Sequence, residues 1–225
     1  LVVLRGPQSA PNAPQAVWVG KGIVYDCGGL SLKPKDGMSG MKMDMGGAAA
    51  VLAAFEVAAR QGLHQDLSVI LCLAENAIGP SAFRNDDVLT MYSGKTVEIN
   101  NTDAEGRLVL GDGVAYACRH IKPSLIVDVA TLTGAQLVAT GRRHAAVVCN
   151  QDELERKVTE LGRACGDLVH PLPYCPELLV SEFKSEVADM KNSVKDRMNA
   201  QSSCAGHFVE SHLVGVAEGS SYEGA

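Results

Sequence analysis

The stretch Leu67–Leu73, Leu-Ser-Val-Ile-Leu-Cys-Leu, is apolar at every position but Ser68. A strand with one wet face alternates apolar and polar residues. A strand that does not alternate must be covered on both faces, as strands are in a parallel sheet flanked by helices. Ser124–Val129 reads as a second buried strand. Elsewhere the pattern changes period. Gly46–Arg60 has the alanine-rich composition of a helix closed by Gly62, and Gly106–His120 reads as a helix ending before Pro123. Gln151–Ala164 reads as a charged amphipathic helix capped by Asp152. Ala16–Val19, Ile23–Tyr25, Thr96–Ile99 and Ala145–Val148 read as short strands. Gly134–Thr140, Pro176–Lys184 and Ala205–Val214 read as further helices, and Lys33–Met43 and Asn76–Asp87 as loops. Alternating strands and helices predict an α/β fold with a mixed, largely parallel central sheet and helices on both faces.

At 225 residues and 46% hydrophobic, the chain can bury a sizeable core as one domain. Residues 1–15, with the Pro/Ser/Asn-rich stretch Gly6–Pro14, read as a linker or the remnant of a preceding region; 213–225 reads as a polar tail. Without an initiator Met, the chain reads as part of a longer protein. Lys plus Arg is 20 and Asp plus Glu is 26, a net charge of −6 with no basic stripe, which argues against nucleic acid. No apolar run reaches the ~18 residues of a membrane span. Seven scattered cysteines without a Cys-x-x-Cys, and no signal peptide, point to a reducing compartment and a cytoplasmic location.

The octapeptide Asn101-Thr102-Asp103-Ala104-Glu105-Gly106-Arg107-Leu108 sets two carboxylates two positions apart and an arginine two further on. In an extended or turning backbone all three point one way. Such a trio is more often a solvated face than a site. Here an apolar-tending segment leads in and a long apolar run leads out, so the carboxylates sit at a strand–helix junction, where open α/β sheets keep ligand sites. Lys21 and Asp26 lie on a glycine-flanked strand, and Lys33 follows. Asp44 opens a helix, where it could equally be an N-cap or a macrodipole partner. Taken singly, the lysines are ordinary surface lysines. Taken together, Asp26, Asp44, Asp103 and Glu105 are four convergent carboxylates that repel unless cations hold them. Hard oxygen donors suit Mg²⁺, Mn²⁺ or Zn²⁺, and two such ions would balance the charge. The six histidines form no His-Glu-x-x-His. There is no Gly-x-Ser-x-Gly elbow, Walker loop or dinucleotide fingerprint. A two-metal phosphatase or nuclease is the weaker alternative, lacking histidine ligands and a basic groove.

Val19-Gly20-Lys21-Gly22-Ile23 with Asp26, the Gly28-Gly29 pair, Lys33, Asp44-Met45-Gly46-Gly47, the octapeptide, and Ala130-Thr131-Leu132-Thr133-Gly134 resemble, in order and spacing, the catalytic domain of leucyl (cytosol) aminopeptidases. The resemblance covers about residues 16–210, giving a metallopeptidase domain over 16–212, and is nearest to the probable aminopeptidase-like 1 branch. It implies removal of the N-terminal residue from peptides by a water bridging two Zn²⁺ or Mn²⁺ ions, with Mg²⁺ a further candidate. Asp26 and Glu105 would bridge the metals, Asp103 would complete one site, and Lys21 and Asp44 the other. Lys33 would polarise the scissile carbonyl, and Arg107 would hold a bicarbonate acting as general base. The carbonyl of Leu132 would accept a substrate hydrogen bond, while Met41, Thr131 and Gly134 would line the pocket for the first side chain. The implied assembly is a homo-oligomer, a hexamer by resemblance. Cys27 stands where the family usually has Ser, and Ile78–Asp87 departs from the usual loop. After about His207 the likeness stops, so the domain reads as incomplete at its C-terminal end. The alternative is therefore a non-catalytic or truncated member that acts through assembly, and this chain alone is expected to have little peptidase activity.

Overall fold

A computed structural model describes residues 1–215. In chain order the elements are β1 (Val2–Arg5), β2 (Ala16–Asp26), a single turn α1 (Lys35–Met38), a 3-10 turn (Met41–Met43), α2 (Gly46–Arg60), β3 (Leu67–Asn76), β4 (Val88–Thr90), β5 (Thr96–Glu98) and α3 (Gly106–His120). There follow β6 (Leu125–Val129), α4 (Ala135–Thr140), β7 (Ala145–Val147), α5 (Asp152–Cys165), β8 (Val169–Pro171), α6 (Pro176–Leu179), a 3-10 turn (Val180–Phe183), β9 (Met190–Lys191) and α7 (Gln201–Glu210). The principal sheet has the order β1-β3-β2-β6. β2 runs parallel to both β3 and β6, while β1 is antiparallel to β3. Two smaller sheets, β4-β5-β9 and β7-β8, flank it.

Side-chain alternation sorts the core into two layers. Val17 and Val19 of β2 and Ile70 and Cys72 of β3 pack with Leu110, Val114 and Ala117 of α3 and Val209 of α7. On the opposite face Val69 and Leu71 of β3 pack with Ala48 and Val51 of α2, with Trp18 of β2 against them. The sheet therefore carries helices on both faces, the predicted α/β class. Gly20 lets α2 lie directly on β2, since a Cβ there would come within 2.6 Å of the Ala48 Cα. A third cluster joins the β4-β5-β9 sheet to α7 through Val97, Ile99, Phe183 and Phe208.

Several expectations are corrected. Residues 1–15 were expected to be a linker, yet Val2–Arg5 pairs with Leu71–Ser68 and caps one sheet edge. Its short apolar stretch finds a partner in a strand whose own pattern is local and clear. The two strand pieces around Gly20 and Gly22 are one eleven-residue strand, because glycine is tolerated where a helix backbone approaches closely. β6 is not covered on both faces. Among the described residues it is an edge strand, and Leu125, Val127 and Val129 are 36%, 38% and 36% exposed. The Lys33–Met43 loop contains two short helical turns. The N-cap of α5 is Gln151 rather than Asp152, and α7 begins at Gln201, earlier than the expected Ala205. Residues 213–215 of the expected tail are described; 216–225 lie outside the described residues.

Candidate metal centre

β2 supplies the first side chains. Odd-numbered Val17, Val19 and Lys21 face α3, so Asp26, an even-numbered residue, would face the other way. A register shift between Ile23 and Asp26 inserts one extra residue into β2 opposite Ala74–Asn76 of β3. A bulge of this kind reverses the alternation. Asp26 thus comes to the face of Lys21 and pairs in register with Asn76. The Asp26 Oδ1 accepts hydrogen bonds from the Gly28 amide at 2.9 Å and from Asn76 Nδ2 at 2.8 Å.

The octapeptide turns into α3 with Glu105 at its N-cap and no side-chain cap bond, so the Glu105 carboxylate is not committed to the helix end. Asp44 likewise does not cap α2, whose N-cap is Met45. It instead receives Lys21 Nζ at 2.7 Å and the Thr131 hydroxyl at 2.7 Å. Lys21 Nζ lies 3.1 Å from Glu105 Oε1 and donates to the Thr131 carbonyl at 3.0 Å. Gly106 makes room for this side chain: a Cβ there would sit 2.3 Å from Lys21 Cε. Lys33 Nζ lies between Asp26 Oδ2 at 2.9 Å and Asp103 Oδ1 at 2.5 Å.

Ligand oxygens of Asp26, Asp103 and Glu105 all fall within 4.8 Å of one another. Lys21, Asp26, Asp44 and Glu105 are buried. Burial pushes the Glu105 carboxyl up against the opposing pull of Lys21, and burial with the nearby Asp26 does the same to Asp103. Desolvation works against the charge of Lys33, but Asp103 and Asp26 outweigh it and hold its pKa above the ordinary lysine value. Four carboxylates share two ammonium groups, an excess of negative charge on hard oxygen donors. That donor set fits divalent cations.

Arg107 parts company with its neighbours in the motif. It begins α3, and its guanidinium points under α7, 6.0 Å from the Phe208 ring centroid. It is 6% exposed, its Nε and Nη1 have no hydrogen-bond partner among the described residues, and burial lowers its pKa to about 10. Unpartnered, buried donors suit a small anion such as bicarbonate. Thr131 and Gly134 are exposed, while Leu132 and Met41 are half-buried. Leu132 packs against the α3-side core, and Met41 lies in the 3-10 turn before Asp44. Thr131 thus serves the site through both its hydroxyl and its carbonyl, a support that its pocket-lining role did not anticipate.

Three supporting residues were not identified in the sequence. Asn76 bridges Asp26 and Glu105. Thr102 ties the octapeptide to the Gly28–Ser31 turn, donating to the Gly28 carbonyl at 2.6 Å and accepting from the Ser31 amide at 2.8 Å. Asn192, fully buried, clamps the backbone of Asn100, Asn101 and Ala104. A polar residue closing an apolar strand could have flagged Asn76; Asn192 lies some ninety residues from what it holds and has no local signal.

An open, largely parallel sheet with an acidic, lysine-balanced cluster at the C-terminal ends of its parallel strands defines an α/β protein with a cation-type site. Residues 1–222 match the cytosol aminopeptidase family, catalytic domain, and the chain belongs to that family. The match extends beyond the 16–210 that carry the resemblance. A probable aminopeptidase from Mus musculus, NPEPL1, is 65% identical over 196 residues, covering 87% of this chain and 37% of that protein. Leucine aminopeptidase 1 of Caenorhabditis elegans is 50% identical over 202 residues, 89% of this chain and 41% of that one. The apo structure of leucyl aminopeptidase from Trypanosoma cruzi superposes with a TM-score of 0.90 at 58% identity, covering 94% of this chain and 42% of that one. The chain spans about two-fifths of the length of these relatives.

Proposed function

We propose that the protein is the catalytic part of a two-metal aminopeptidase that removes the N-terminal residue from peptides. The observation carrying this reading is the gathering of Asp26, Asp103 and Glu105 oxygens within 4.8 Å, with Lys21 and Lys33 as internal counter-ions. Lys21, Asp26, Asp44, Asp103 and Glu105 would hold the two ions, Zn²⁺ or Mn²⁺ before Mg²⁺. Such ions, when bound, lower the pKa of a water and offset charge on a carbonyl oxygen.

The chain's own residues account for the rest. Lys33 keeps its proton and presents a donor beside the cluster, suited to the scissile carbonyl oxygen as negative charge develops there. Arg107 would hold a bicarbonate, which would supply a general base there. The Leu132 carbonyl would accept a hydrogen bond from the substrate backbone, with Met41, Thr131 and Gly134 bordering the first side chain. By family relationship the functional protein would be a cytoplasmic homo-oligomer, a hexamer.

The test is to reconstitute the protein with Mn²⁺ or Zn²⁺ and measure both bound metal and hydrolysis of leucine amide. Two ions per chain with metal-dependent turnover is the expected result; no stoichiometric metal would overturn the reading. A second reading, a family member acting through assembly, is favoured by the open β6 edge. Metal-loaded protein with no turnover of aminoacyl amides would select it.

A further inference from the structure

Asn76 closes β3 and is buried, 4% exposed. Its Nδ2 lies 2.8 Å from Asp26 Oδ1, 3.2 Å from Glu105 Oε2 and 3.0 Å from the Thr102 carbonyl. One amide therefore touches carboxylates from two separate elements. The other oxygen of each is free of Asn76: Asp26 Oδ2 faces Lys33 at 2.9 Å, and Glu105 Oε1 faces Lys21 at 3.1 Å. We propose that Asn76 is a positioning residue: by engaging one oxygen of Asp26 and one of Glu105, its amide dictates which oxygen of each is left for a cation.

The backbone holds the amide itself in place. Asn76 is in register with Asp26 across the parallel pair, and its carbonyl accepts from the Cys27 amide at 2.9 Å. Asp26 Oδ1 has a second donor in the Gly28 amide. Loss of Asn76 should therefore loosen Glu105, the longer side chain, more than Asp26. Partners that orient ligands from outside the coordination shell are worth about 10–100-fold in metal affinity.

This inference rests on the two-metal reading, and the experiment separates the two. Zn²⁺ affinity of the 225-residue chain is measured by chelator competition for the wild type, Asn76→Ala and Thr102→Val. Thr102→Val breaks the ties to Gly28 and Ser31 without removing a contact to either carboxylate. The expected result is a rise of about 10–100-fold in Kd for Asn76→Ala, with helical content retained and a clearly smaller rise for Thr102→Val at a comparable loss of Tm. In the wild type, the Asn76 Nδ2 resonance should shift on Zn²⁺ addition, a readout that does not depend on any variant folding. A wild type that binds no metal removes the two-metal reading and this role with it. A wild type that binds Zn²⁺ with an unshifted Asn76 amide, or a folded Asn76→Ala of wild-type affinity, or equal losses in both variants, overturns the positioning role alone.

Discussion

Lys33 and Arg107 are both cationic, but the structure gives them opposite surroundings. Lys33 meets Asp26 and Asp103 at 2.9 and 2.5 Å, whereas Arg107 is buried with two nitrogens unpartnered among the described residues. A group that steadies charge in a transition state without holding a ligand costs about 10²–10³-fold in kcat when removed. Lys33→Ala should show that loss with metal content unchanged in elemental analysis; loss of metal with the fold intact would make Lys33 a ligand instead. Arg107→Ala should slow turnover less, and added bicarbonate should then no longer stimulate it. At this scale the charged residues were legible because four carboxylates and two lysines form an improbable set for a solvated surface. Asn76, Thr102 and Asn192 were not, because an amide or hydroxyl acquires meaning only from what lies opposite, and their partners are 26 to 92 residues away.

Among the elements, α2 and α3 occur at the predicted bounds, since a long alanine-rich or apolar-periodic run with a glycine or proline stop declares itself locally. The short strands β4, β8 and β9 did not, because two or three residues carry no period and exist only through pairing. The bulge in β2 was equally hidden, and it decides the site: without the extra residue, Asp26 would face α2 rather than Lys21. The junction of β2 with α3 is tested through Gly106, where a Cβ would lie 2.3 Å from Lys21 Cε and 2.7 Å from its Nζ. Alanine suits a helix better than glycine by up to about 1 kcal/mol, and the obstructed atoms are the tip of a flexible chain. Gly106→Ala should therefore fold with a Tm near wild type while displacing Lys21 from Asp44 and Glu105. The measurement is Zn²⁺ binding against thermal unfolding. A variant with unimpaired metal binding would show that Lys21 can be accommodated elsewhere.

For the molecule as a whole, two features set its response to conditions. His212, fully buried, bonds through Nδ1 to the Ser93 hydroxyl at 2.7 Å and packs against Phe208, joining the end of α7 to the turn between β4 and β5. Burial, aided by Lys95, lowers its pKa from 6.5 to about 4. The unfolded chain thus binds the proton more readily, so this contribution to stability is whole above pH 6.5 and is lost as pH falls towards 4, about 3 kcal/mol in all. His212→Gln should flatten the fall in Tm between pH 7 and 4.5; an unchanged slope would assign it to other groups. The second feature is β6, paired to β2 on one side and, among the described residues, to no strand on the other. Leu125, Val127 and Val129 are each more than a third exposed there. An apolar edge with unpaired amides and carbonyls is a template for another strand. The isolated 225-residue chain should therefore associate with rising concentration, and its metal-dependent turnover should be measurable but below that of longer family members, because β6 is the neighbour of β2, which carries Lys21 and Asp26 and must hold them to the ~0.5 Å that catalysis demands. Val127→Lys should suppress the association, as charge on an edge strand opposes pairing. Sedimentation velocity across a hundredfold range of concentration, run beside leucine amide hydrolysis, decides the matter. A chain that stays at its 23.7 kDa monomer mass throughout, with the turnover of a longer relative, would show that the β6 edge needs no partner.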